Sequence, residues 1–215
     1  MPGLTNSNRL VIRLVNQLMP RPSNTSRRRE QIVLGMLRTL ADHGYDGAST
    51  QRIAHAAGLT PGLIHYHFAS KQEVLLALVE LLARRAQERI EQHRSRAKTD
   101  RARLHAFLAG MLQVSAGADP QAVTAWVVIT AEAIREPKVA RAVRALLGSW
   151  QRELTQLCLP LARDRRVAGK AAAALLAFVQ GCFVQAAVAP GSIPSGSAAP
   201  SARALADGLL PGARA

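Results

Sequence analysis

The stretch that most restricts the fold of this chain is "ASTQRIAHAAGLTPGLIHYHFASKQE", residues 48–73. Three helix starts and one firm stop are written into it. Ser49 or Thr50 can cap a helix N-terminus with a hydroxyl, and Gly58 is the residue type that ends a helix in the left-handed region. Thr60 followed by Pro61 opens a second helix, because the missing N–H of proline costs nothing at the first helical position. Ser70 and Glu73 form a capping-box pattern at the head of a third. Two short helices, over 50–57 and 61–67, therefore meet at a tight "GLT" turn. Ile53, Ala57, Leu59, Ile64 and Phe68 are the side chains expected to hold them together.

The flanking sequence extends the helical pattern. Ile32, Leu34, Met36, Leu37, Leu40 and Ala41 recur at helical spacing and predict a helix over 26–43, capped by Ser26 and stopped at Gly44. The helix opened by Ser70 should run over 71–97, apolar nearly all round through Leu82 and polar after it, as a connector between two modules would be. Further helices are expected over 101–116, 120–135, 137–161, 166–188 and 199–209, with Pro120 and Pro137 suiting helix starts. No run alternates as a half-buried strand would, and no internal repeat is visible. The expected fold is all-α: an N-terminal three-helix helix-turn-helix domain, joined by a long helix to a C-terminal helical domain. The boundaries read as a disordered stretch or extension over 1–25, the helix-turn-helix domain over 26–82 and the second domain over 83–211.

Charge narrows the partners. The 215 residues carry a formal net charge of +14, which favours polyanions such as nucleic acid or an anionic membrane face. Residues 9–19 are broken by Arg13, Asn16 and Gln17, so a signal peptide is not expected. Residues 171–190 are nearly uncharged and long enough to span a bilayer, but they are alanine-rich and carry Gln180 and Gln185. The expectation is a buried helix, of the kind a core or subunit interface needs, and no membrane partner. Cys158 and Cys182 have no CxxC partner and read as packed thiols in a reducing, cytoplasmic compartment.

Several chemistries find no support. His65 and His67 are two residues apart, about 200° around a helix, so they cannot chelate one ion. Neither a GxSxG nor an SxxK nucleophile motif is present, nor a glycine-rich phosphate loop. No cofactor and no enzymatic activity are expected. A helix-turn-helix, by contrast, seats its second helix in the major groove and lays its first across the backbone. Thr60, Pro61, Gly62 and Leu63 would then approach base edges, Leu63 against a thymine methyl. His65, Tyr66 and His67 would donate to phosphates. Thr50, Gln51 and Arg52 begin the first helix, where Arg52 reaches the backbone. Lys71 opposes the dipole at its own helix start, which makes sense if a phosphate lies between.

This run resembles the DNA-binding domain of TetR-family transcriptional regulators over roughly residues 26–82. The matching pieces are Ser49 and Thr50, "IAxxAG" from Ile53 to Gly58, Gly62, "HF" at His67 and Phe68, and "SK" at Ser70 and Lys71. The resemblance implies phosphate contacts from Tyr66, His67 and Lys71, and base-facing positions at Pro61 to Leu63. It departs at His65, where the family often has tyrosine, and at Pro61, which cannot make a bidentate contact with guanine. Modest direct readout, supplemented by DNA shape, is therefore expected.

The C-terminal half, through "AVTAWVVITAEAIREPKVARAVRAL" at 122–146 and "ALLAFVQGCFVQAAV" at 174–188, looks like the BetI-like subgroup, whose best-known member answers to choline. A choline cage needs aromatic faces, and Trp126, Phe107, Trp150, Phe178 and Phe183 cannot be placed round one cavity from sequence. A small apolar effector is expected among helices 101–161, touching Phe107, Met111, Trp126 and Thr130. The implied assembly is a ligand-released homodimeric repressor on an inverted-repeat double-stranded DNA operator. Its copies would pair through 166–188 and 199–209.

Overall fold

The computed structural model describes residues 24–112 and 119–211. Nearly all of the extension expected over 1–25 lies outside the described residues, as does the end of the helix expected over 101–116. Among the described residues there are helices and no strands: α1 (Asn24–Gly47), α2 (Thr50–Ala57), α3 (Pro61–His67), α4 (Lys71–Arg94), α5 (Asp100–Met111), α6 (Pro120–Arg135), α7 (Pro137–Cys158), α8 (Arg165–Val188) and α9 (Ala198–Leu209). The first helix begins at Asn24, so Ser26 lies inside it rather than capping it, and its helical geometry breaks at Gly44, where φ is 66°. The connector stops at Arg94, three residues short of expectation, and α7 ends at Cys158 with a single 3-10 turn through Pro160.

The corner predicted from residues 48–73 forms through the devices written there. The Ser49 hydroxyl accepts from the Arg52 N–H at 3.2 Å. Gly58 sits at φ 67°, ψ 35°, its N–H bonding the His55 carbonyl while the next N–H, of Leu59, reaches back to Ala54. That pair of bonds closes the helix, and a side chain at Gly58 would strain the left-handed backbone. The Ser70 hydroxyl accepts from the Glu73 N–H, and the Glu73 carboxylate accepts in turn from the Ala69 N–H at 2.9 Å.

Ile53, Ile64 and Phe68 are buried from the corner, and Ile32, Met36, Leu40, Leu75 and Leu78 meet them from α1 and α4. The α1 and α2 backbones nearly touch: a Cβ on Gly35 would lie 2.6 Å from the Ile53 carbonyl oxygen. Thr39 is buried there and spends its hydroxyl on the Gly35 carbonyl at 2.8 Å, so no polar group is stranded at the crossing.

The second body is built on α4, which packs on α5 and α7, while α6, α7 and α8 pack mutually and α9 closes over α5 and α8. α8 departs from expectation. It is long and apolar enough to cross a membrane by composition, yet only 28% of its most apolar stretch is buried. Ala172, Leu175, Leu176, Val179 and Cys182 face the core. Ala173, Ala174, Ala177, Gly181, Val184 and Val188 form an exposed stripe at helical spacing. The expected buried helix is thus half-buried, because no further element among the described residues covers its other face. Both cysteines are buried and free, and burial pushes the Cys158 thiol up to about 11, which keeps it protonated and unreactive.

Candidate nucleic-acid interface and ligand cavity

Seven residues make α3, and its two faces are sharply divided. Ile64 anchors it, while Pro61, Gly62, His65 and Tyr66 face solvent, Tyr66 at 79% exposure. Leu63 and His67 are half-buried, and the Tyr66 and His67 rings meet edge to face at 4.9 Å. Thr60 is exposed and its hydroxyl makes no capping bond. On α2, Gln51 and Arg52 are exposed and Thr50 half-buried; the Arg52 guanidinium donates to the Gly47 carbonyl at 2.8 Å.

Lys71 is less open than the sequence suggests. Its ammonium donates to the Tyr45 carbonyl at 2.9 Å and lies 4.0 Å over the Tyr45 ring. Burial, followed by the nearby Glu132, Glu136 and Asp46 carboxylates, raises the Tyr45 phenol above its ordinary pKa, so it stays neutral. One contributor to this region escaped the sequence reading. Arg29 on α1 donates to the His67 carbonyl and stacks 3.9 Å over Phe68, tying α1 to the end of α3. The "RRR" run at 27–29 was the available signal.

A cavity of about 160 Å³ opens between α4, α6, α7 and α8. α4 contributes Leu82, Arg85, Ala86 and Arg89, and Met111 closes one side from the end of α5. Asp119, Ala122, Val123 and Trp126 come from the start of α6, Trp150 from α7 and Phe183 from α8. The two indoles stand 5.8 Å apart at 55°. Trp126 Nε1 donates to Gln180 Oε1 at 2.9 Å, which fixes the amide orientation, since an indole N–H can only donate. The Gln180 Nε2 group is then a buried donor without a partner among the described residues, a deficit of about 1–3 kcal/mol. Arg89 Nε donates to the Gly110 carbonyl at 3.2 Å. Burial, and then the like charge of Arg85, lowers the Arg89 pKa, and Glu88 offsets this in part.

Of the four expected effector contacts, Met111 and Trp126 line the cavity. Phe107 and Thr130 do not: Phe107 is fully buried in the core, and the Thr130 hydroxyl is spent on the Val127 carbonyl at 2.8 Å. Three of the aromatics that sequence could not assemble, Trp126, Trp150 and Phe183, do share one cavity, while Phe178 lies off its wall. Arg85, Arg89 and Asp119 were missed. The two arginines are four apart on the face of α4 that also carries Leu82 and Ala86, which is the pattern that could have exposed them.

The cavity wall runs on into the head. α6 carries Ala122, Val123 and Trp126 near its start and packs along α1. Where α6 ends, Glu136 Oε2 accepts from Gln72 Nε2 at 2.6 Å, one residue beyond the start of α4.

An exposed recognition helix on a buried corner, joined to a helical body with a cavity, defines a helix-turn-helix DNA-binding regulator. Known proteins agree. Residues 34–78 match the family described as bacterial regulatory proteins, tetR family, and residues 100–211 match the BetI-type transcriptional repressor C-terminal domain. The HTH-type transcriptional regulator BetI of Rhizobium meliloti is 32% identical over 162 residues, covering 72% of this chain and 77% of that one. A transcriptional regulator from a Rhodococcus species superposes at a TM-score of 0.75 with 22% identity, covering 85% of this chain and 96% of the other. Another, from Saccharomonospora viridis and solved in complex with choline, gives 0.70 at 21% identity, over 86% and 96%. The chain belongs to the TetR family of transcriptional regulators, in its BetI-like branch, and is a non-enzymatic DNA-binding protein.

Proposed function

We propose that this chain is a cytoplasmic homodimeric repressor, released from an inverted-repeat operator when a small molecule enters the cavity. The observation that carries the reading is the double role of α6, which lines the cavity at one end and abuts α1 and Gln72 at the other. A ligand that spreads the wall between α4 and α6 would tilt α4 and alter the spacing of two recognition helices. A coupling of about 1–3 kcal/mol is enough for such a switch. One seven-residue helix reads too little sequence alone, and two copies about 34–36 Å apart can read successive major grooves.

The exposed stripe of α8, with Ser201, Ala204 and Gly208 on α9, supports pairing across a two-fold axis, since small side chains let helices approach closely. Nothing lies within 4 Å of a Cβ on Gly181, so Gly181→Leu leaves the single chain intact and wedges only the pairing. Sedimentation is expected to show monomers; a persisting dimer refutes this surface.

On DNA, Thr50, Gln51, Arg52, His65, Tyr66, His67 and Lys71 serve the backbone, and Thr60, Pro61, Gly62 and Leu63 face the bases. Lys71 has three donors and spends one on Tyr45, which leaves two for a phosphate. In fluorescence anisotropy with the operator duplex, Tyr66→Phe and Lys71→Ala are expected to weaken binding to all sequences alike. The salt slope should fall by about 1 for Lys71→Ala. An altered base preference at an unchanged slope would count against these roles.

A further inference from the structure

We propose that the cavity selects a small monocarboxylate carrying one aromatic ring, roughly the size of benzoate, over a quaternary ammonium; this rests on reading the cavity as the effector site. Size sets the first limit. A cavity of about 160 Å³ is comparable to the engineered apolar cavity of about 150 Å³ that holds benzene. The flat faces of Trp126, Trp150 and Phe183 suit a ring.

Those same aromatics could in principle cage a cation, and the polar groups decide between the two. Arg85 and Arg89 are both on the wall, four residues apart on one face of α4. Arg85 makes no hydrogen bond or ion pair among the described residues. Asp119 is the wall's carboxylate, and its Oδ1 already accepts from the Gln121 and Ala122 N–H groups at 3.0 and 3.3 Å as the cap of α6. Glu88 is exposed on another face of α4, and residues 113–118 carry no charged side chain. The wall therefore has two guanidiniums against one carboxylate, of which one oxygen is already in use. Behind Trp126, Gln180 adds a further donor with no acceptor among the described residues.

The charge balance of the wall is thus positive, and its two cations are like charges held together. A ligand that is acceptor-only and anionic supplies the missing partner, with a guanidinium fork matched to a carboxylate. A trimethylammonium group supplies none and is repelled by both arginines. The lowered Arg89 pKa agrees with this, since a bound anion relieves the repulsion.

The test is calorimetry on the DNA-free full-length dimer with benzoate, benzyl alcohol and choline chloride. Benzoate is expected to bind once per chain, at least tenfold tighter than either of the others. Arg85→Met is the cleaner variant, because Arg89 also holds the Gly110 carbonyl. It should weaken benzoate by about 10- to 100-fold while leaving benzyl alcohol unchanged. Choline binding as tightly as benzoate, no benzoate binding, or full benzoate affinity in Arg85→Met each overturns the proposal. The effector reading itself is judged separately, by operator release in anisotropy: release by choline and not by benzoate keeps that reading and sinks only the charge selection.

Discussion

Between Ser49 and Glu73 the DNA-facing corner is held by bonds that reach no more than five residues along the chain: a serine cap, a left-handed glycine, a second cap with its returning glutamate. The cavity takes its walls from segments as far apart as Leu82 and Phe183, brought together only by packing. The difference separates two jobs. Local devices set the shape of the corner whatever the rest of the body contains, so the DNA-reading unit keeps its geometry while the cavity's chemistry is free to change. Here the cavity sets three aromatic faces beside a pair of arginines, and none of these residues takes part in the bonds that hold the corner.

Each region has a crossing where two backbones nearly touch, and these offer the strongest way to break the comparison. A Cβ on Gly35 would lie 2.6 Å from the Ile53 carbonyl oxygen, and one on Gly110 would lie 2.6 Å from the Ile90 Cα. Valine at either site must push backbone aside, at a cost of about 1–3 kcal/mol and sometimes more. Gly35→Val should abolish operator binding and leave calorimetric ligand binding intact; Gly110→Val should do the reverse. If either variant loses both activities, corner and body form one cooperative unit and the separation is wrong.

A smaller effect sharpens the claim that the corner is locally held. Ser49→Ala removes the cap of α2 and should destabilise by about 1 kcal/mol in chemical denaturation, with a matching loss of operator affinity and none of ligand affinity. Smallest of all is an acid-side effect confined to the body. Asp207 on α9 receives bonds from Arg101 and from His105 at 3.0 Å, tying α9 to α5. Burial acts to raise its pKa, but the hydrogen bonds and charges of Arg101 and His105 prevail and lower it. A depressed carboxylate contributes stability above its unfolded value of about 3.9 and loses it as pH falls through the lower folded value. Hydrogen exchange should therefore show α9 loosening below about pH 4 in the parent chain. Asp207→Asn should give that looser α9 already at neutral pH, with the corner unaffected by either change.

Every helix start in the corner was legible before any coordinates, because Ser49, Gly58, Pro61 and Ser70 act on residues three to five away. Exposure of Tyr66 followed from the same reading, since Ile64 and Phe68 had to point inward. Lys71 was legible only in part: its chain neighbours predict a cation facing a phosphate, and its bond to Tyr45 depends on where α1 ends. Phe107 and Thr130 lie off the cavity for a different reason. Both lie on helices that contribute to the body, but rotation about each helix axis decides which side chains reach the cavity. That rotation is set by packing against neighbours the periodicity does not name.

The order of the amino acids determined the all-helical architecture, the sharp corner and its family, because caps, helix stops and apolar spacing act over one or two turns. It also determined that α8 is nearly uncharged and mostly apolar from residue 171 onward. Tertiary structure alone decided that the described residues leave one face of α8 uncovered, and that Arg85, Arg89, Trp126, Trp150 and Phe183 line a single space. These residues are separated by up to nearly a hundred positions, and only the close packing of four helices, which no local preference encodes, brings their side chains together.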